Sequence, residues 1–123
     1  MANEENSKPY DLEERTFQFA KAGRAFVKLL PRTIANIEDV KQFVRASGSV
    51  GANYIEADDS VSKKEFLKCI GICKKEARET KHFLRMAVRA APELRPEARK
   101  LWMEAKELHL IFARIWRNGK QKE

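Results

Sequence analysis

Residues 62–92 read SKKEFLKCIGICKKEARETKHFLRMAVRAAP, and the period of their apolar positions decides the fold. Phe66, Ile70, Cys73, Ala77, Thr80, Leu84, Ala87 and Ala91 recur at alternating steps of four and three. That is the seam a helix presents to its neighbours in an antiparallel bundle. Ser62 with Glu65 has the spacing of a capping box at the start of this helix. Pro92 closes it, since proline cannot continue the hydrogen-bond ladder.

Three further helices follow from the same reading on either side. Asp11 with Glu14 predicts a first helix that Pro31 ends, with Leu12, Phe19, Gly23, Phe26, Val27 and Leu30 on one face. Asn36 then Asp39 predicts the opening of a second, whose apolar arc is Ile37, Val40, Phe43, Val44, Ser47, Val50, Gly51, Tyr54 and Ile55. Pro96 suits the first turn of the last helix. That helix runs through Ala98, Leu101, Ala105, Leu108, Phe112 and Ile115 to an end at Asn118-Gly119. Links at 31–35, 57–61 and 92–95 leave no room for long crossovers. The predicted fold is therefore all-α, an antiparallel up-down four-helix bundle over residues 11–118. Residues 1–10 are expected to be an acidic flexible N-terminus and 119–123 a flexible C-terminus.

Composition agrees with this reading. A chain of 123 residues has room for one core. With 5 Gly, 4 Pro and 35% charged residues it leans helical. Apolar runs are too short to span a membrane. The opening MANEENSKPYDLEE is acidic and polar, unlike a secretory signal, so the expected location is the cytoplasm. Cys69 and Cys73 are the only cysteines. One helical turn apart, their Cβ atoms stand about 5–6 Å from each other, too far for a relaxed disulfide at about 3.5–4.5 Å. They read as reduced thiols serving as small core residues.

Catalytic arrangements do not emerge. Glu79-Thr80-Lys81-His82 spells the E-x-x-H helix motif of carboxylate-bridged di-iron bundles, but such a site needs two copies and two more inward carboxylates. Here the single copy faces away from the core stripe. Helical-bundle ribonucleases of the HEPN type separate Arg and His by four to six residues near a bundle end. Arg78 and His82 have three between them and lie mid-helix. With 2 His in the chain, general acid–base chemistry has few candidates. No enzyme activity, cofactor or metal is expected.

Charge carries more information. The net charge is +7, and residues 1–14 hold five acids against Lys8, so the remainder of the chain carries +11. Lys74, Arg78, Lys81, Arg85 and Arg89 follow steps of four, three, four and four down the third helix, forming a basic ridge beside the core seam. Such a ridge can track a phosphate backbone. It also reads as a solvated helix flank with Glu76 and Glu79 as intrahelical partners, because no aromatic residues interleave it to stack bases. Two functions follow: a non-enzymatic RNA- or DNA-binding accessory factor, or a protein-interaction scaffold whose basic surface receives an acidic protein partner without any nucleic-acid role.

Surplus apolar and small side chains point to self-association. Phe17, Met103 and Leu110 face away from the core sides of their helices, and Gly48, Ser49 and Ala52 are small enough for another backbone to approach. These six are the candidate oligomer contacts.

Across residues 45–84, RASGSVGANYIEADDSVSKKEFLKCIGICKKEARETKHFL, the chain resembles a known family. It is similar to the bacterial four-helix-bundle proteins encoded in intervening sequences of 23S ribosomal RNA genes, the S23 ribosomal protein family. Ser49, Val50, Gly51, Ala52, Asn53 and Glu56 match that family's pattern, as do Ser62–Leu67 and KEARET at 75–80. Ala57 stands where the family commonly has Gly, and Glu76 where many members have Ser. The resemblance implies a bundle that assembles as a ring-shaped homo-oligomer, typically a homopentamer. It also implies similarity to accessory proteins of diversity-generating retroelements, which bind nucleic acid and a reverse transcriptase. Asn53 and Glu56, one turn apart, are expected to join Arg45 or a third-helix cation in a polar network that fixes the bundle register, with a ligand site as the alternative reading.

Overall fold

The computed structural model describes residues 11–122, and they form four helices: α1 (Leu12–Val27), α2 (Ile34–Asp58), α3 (Lys63–Val88) and α4 (Arg95–Gln121). A 3-10 turn, Pro92–Leu94, leads into α4. Each helix packs on the next and α4 returns to α1, which makes an antiparallel up-down four-helix bundle. The expected acidic N-terminal segment, residues 1–10, lies outside the described residues.

Local chemistry sets the helix starts. Asp11 accepts the Glu14 amide at 3.4 Å and Ser62 accepts the Glu65 amide at 3.1 Å. Each satisfies a backbone donor that the first turn leaves without a partner. The second helix begins earlier than its sequence suggests. Thr33, not Asn36, is the cap, and its hydroxyl accepts the Asn36 amide at 3.2 Å. Asn36 is buried, and its side-chain amide donates to the Pro31 carbonyl at 2.8 Å, clasping the α1–α2 turn. A side chain that bonds nearby backbone looks the same in sequence whether it caps a helix or braces the turn before it.

The end of α4 also differs from expectation. The helix continues through Asn118 and Gly119 to Gln121, so the segment 119–123 expected to be flexible begins as helix. Gly119 has no left-handed backbone. Its missing side chain instead makes room for Leu67 of α3, whose Cδ2 lies 2.5 Å from where a Cβ would stand. This glycine serves close packing, not helix termination.

The core follows the predicted stripe. Ile70, Cys73, Ala77, Thr80, Leu84, Ala87 and Ala91 are all buried, while Phe66 is half-buried at the α3 entrance. Phe43 and Val50 of α2 and Leu108 and Phe112 of α4 meet them in the interior. Two threonines share that interior because their hydroxyls turn back on the helix. Thr16 donates to Leu12 O and Thr80 to Glu76 O, each at 2.7 Å, which satisfies a polar group without a partner helix. No helix of the described residues is long and apolar enough to cross a membrane.

Candidate nucleic-acid interface

The outer face of α3 and its seam with α4 bring most of the basic ridge together, and one arginine of α2 binds the two acids beside it. Arg45 reaches across to α3, where its two terminal nitrogens hold Glu76 and Glu79, each at 3.0 Å. Glu76 is nearly buried, at 7% exposure. Partial burial opposes the charge of Arg45, but the hydrogen bonds and charges of Glu76 and Glu79 outweigh it and raise its pKa above the ordinary value. The two carboxylates that looked like intrahelical partners for the ridge are thus held from the neighbouring helix.

Arg78 and Arg85 have no acid three or four residues away on α3 in either direction. Both are exposed, and neither makes an ion pair among the described residues. Arg89, at the far end of the ridge, behaves differently. It donates to its own helix at Met86 O, 3.2 Å, and stands 3.7 Å from Asp39 of α2. The ridge is therefore open in its middle and engaged at its α3 C-terminal end.

Aromatic rings do accompany the ridge, contrary to the sequence reading, and they come from α4. The Lys74 ammonium lies over Trp116 at 5.0 Å and the Lys81 ammonium over Trp102 at 5.2 Å. From α4 itself, Lys106 stands 5.9 Å from the Trp102 ring and Lys120 5.7 Å from that of Trp116. Midway between the tryptophans, His109 has its Nδ1 3.1 Å from the Lys74 carbonyl. A carbonyl can only accept, so Nδ1 carries the proton and ties α4 to α3. The steps Trp102, His109, Trp116 are sevens along α4. Finding them beside the ridge from sequence needs the α3–α4 register, which heptad steps in α4 could have supplied. A groove of about 790 Å³ crosses this face, lined by Arg45, Lys75, Arg78, Lys81, Arg85 and Trp102 among others.

The expected register network is not formed as predicted. Asn53 donates to the carbonyl and hydroxyl of Ser49, both at 2.9 Å and both on its own helix. Glu56 is exposed. Arg45 bridges α2 to α3 through Glu76 and Glu79 instead, because they face it across the helix pair while Asn53 and Glu56 lie two or more turns further along α2. The E-x-x-H residues also go separate ways: Glu79 is bound by Arg45, and His82 is exposed, edge-on to Phe83 at 5.1 Å. Among the described residues no group of three or more His, Cys, Asp or Glu is placed to hold a metal ion.

Of the candidate oligomer contacts, Phe17 is 58% exposed, Leu110 52% and Met103 40%. Ala52 is exposed too, whereas Gly48 and Ser49 are half-buried. Gly48 is already used within the chain. The Arg24 guanidinium crosses it, with Nη2 2.9 Å from where a Cβ would be, and bonds Val44 O at 3.4 Å.

Fold and face together define a small antiparallel helical bundle with a cationic, tryptophan-bearing surface. Residues 9–114 match the 23S rRNA-intervening sequence protein family, and the chain belongs to it. A crystal structure from Bacteroides thetaiotaomicron, described as a protein of unknown function from the S23 ribosomal protein family, superposes with a TM-score of 0.73. It is 24% identical, and the match covers 85% of this chain and 94% of that one, a likeness of fold. No curated protein matches.

Proposed function

We propose that the protein is a non-enzymatic, homo-oligomeric accessory factor that binds RNA or DNA through the basic face of α3 and its seam with α4. The observation that carries this reading is that Arg78 and Arg85 are exposed on one face of α3 with no ion pair among the described residues, while the nearby acids Glu76 and Glu79 are bound by Arg45. Lys74 and Lys81 extend the same positive face, so up to four cations are available to phosphates. Each phosphate contact releases counterions, and these contacts position a strand without reading its sequence. Exposed Phe17, Met103 and Leu110 support self-association, which would multiply the number of such faces on one particle.

Fluorescence anisotropy of labelled oligonucleotides at low salt tests the reading. Arg78→Glu/Arg85→Glu should weaken binding of unrelated sequences alike, with the helical circular dichroism unchanged because both side chains are exposed. Equal binding by wild type and the double reversal contradicts the proposal. Absence of binding by wild type also contradicts it and favours a scaffold for an acidic protein.

A further inference from the structure

Trp102 and Trp116 are the chain's 2 tryptophans, and both stand half-buried at the α3–α4 seam, each beside two lysines. From this placement we infer that the interface takes a single strand of nucleic acid, with unpaired bases stacking on Trp102 and Trp116 while the phosphates follow Lys81, Arg78 and Arg85. The inference rests on the nucleic-acid reading above and narrows it to one class of strand.

The argument begins with what each ring can meet. In a duplex the base faces are stacked against one another inside the helix, and a ring fixed in a protein surface meets only edges and backbone. An unpaired base offers its whole face, and stacking on an aromatic side chain is how proteins hold single strands with little regard to sequence. Both indoles are held rather than loose. The Trp116 Nε1 edge lies along α3 at Gly71, where a Cβ would be 3.4 Å away, and the His109–Lys74 bond pins the helices between the two rings.

Spacing and charge fit the same ligand. Fourteen residues of helix place the rings about 21 Å apart along α4, so they engage different nucleotides of one strand. The groove beside Trp102 contains Arg78, Lys81 and Arg85, cations within reach of the backbone of a base stacked there. The lysines over the rings do not block this use. An exposed ammonium–indole contact is weaker than stacking of a base, and a displaced ammonium meets the phosphate that arrives with the base.

The test uses the full chain and its own fluorescence. Because both tryptophans belong to the proposed platform, stacking quenches nearly all of the protein's indole emission. Oligothymidylate and oligouridylate, and a mixed-sequence DNA duplex of equal phosphate number, are titrated in parallel, with anisotropy of a labelled end reporting binding. The expected result is tighter binding of the single strands with marked quenching, and weaker duplex binding without it. Oligodeoxyuridylate against oligouridylate, which share one base, identifies the preferred sugar. Trp102→Phe and Trp116→Phe keep a stacking ring and report the remaining tryptophan alone, so each site should still show quenching. Trp102→Leu should lower single-strand affinity about tenfold.

Single-strand binding without quenching, or duplex binding as tight as single-strand binding, overturns this inference and leaves the nucleic-acid reading standing. Anisotropy that shows no binding of any strand removes both. The quenching is measured on wild type, so the outcome does not depend on whether the leucine variant folds.

Discussion

The guanidinium of Arg45 on α2 and the carboxylate of Glu76 on α3 meet at 3.0 Å across the helix pair, with the Glu76 side chain nearly out of solvent. A carboxylate in that position needs a cation or donors, since stranding it costs the desolvation of a charged group. Arg45 is itself 46% exposed, so solvent screens part of the interaction. Arg45→Met is expected to destabilise the bundle by about 1–2 kcal/mol in urea unfolding. Arg45→Met/Glu76→Gln should recover part of that loss, because the carboxylate is gone. A single variant as stable as wild type would show that the pair holds nothing.

Cys73 gives a pH dependence with a defined sign. Burial, then the neighbouring Cys69, pushes its thiol from 9.0 to about 12, partly offset by a backbone hydrogen bond. The folded state therefore keeps a proton that the unfolded chain releases first. The stabilisation is complete below pH 9 and is lost as pH rises from there toward 12. Urea unfolding of wild type beside Cys73→Ala should show a steeper alkaline fall in wild type. Equal slopes would contradict the buried thiol. Native Cys73 should also resist iodoacetamide at pH 8, while half-exposed Cys69 reacts first.

Two helical glycines should respond in opposite directions to alanine. At Gly71 a Cβ meets only Trp116, at an ordinary 3.4 Å, so Gly71→Ala should stabilise by about 0.5–1 kcal/mol through helix propensity. At Gly51 it would stand 2.9 Å from Thr16 Oγ1 and 3.2 Å from Thr16 Cβ. Thr16 is buried and hydrogen-bonded to Leu12 O, so it has little room to give. Gly51→Ala should lose about 1 kcal/mol net, overpacking exceeding the propensity gain. Thermal melts of the two variants check both signs.

Self-association is expected to use the exposed apolar residues. Light scattering should give a particle several times 14.2 kDa, and a pentamer would be about 71 kDa from five copies. Phe17→Glu/Leu110→Glu should shift it toward the monomer while keeping helicity. A wild-type monomer across micromolar concentrations contradicts this part of the account.

Most of the fold was legible because burial on one face of a helix leaves a period in the sequence. The α3 stripe, from Ile70 to Ala91, is buried at every position named. What stayed hidden depends on geometry between helices. Asn36 braces a turn instead of capping, and Gly119 receives Leu67 instead of ending α4. Arg45 finds Glu76 and Glu79 thirty-one and thirty-four residues away, a pairing no single-helix pattern contains. Trp102 and Trp116 reach the ridge only once α4 is placed beside α3. The cations of the candidate face were readable one helix at a time, but their aromatic neighbours were not.

The salt dependence of single-strand binding tests the central claim most directly. On single strands each phosphate contact contributes about −0.7 to the slope of log affinity against log salt. Arg78→Gln/Arg85→Gln removes two such contacts per bound face without adding repulsion. The slope should therefore become shallower by about 1.4, while Arg89→Gln, already turned toward Asp39, should change it little. A slope identical in wild type and the Arg78→Gln/Arg85→Gln protein would contradict the account, because the open arginines of α3 would then not be meeting phosphates.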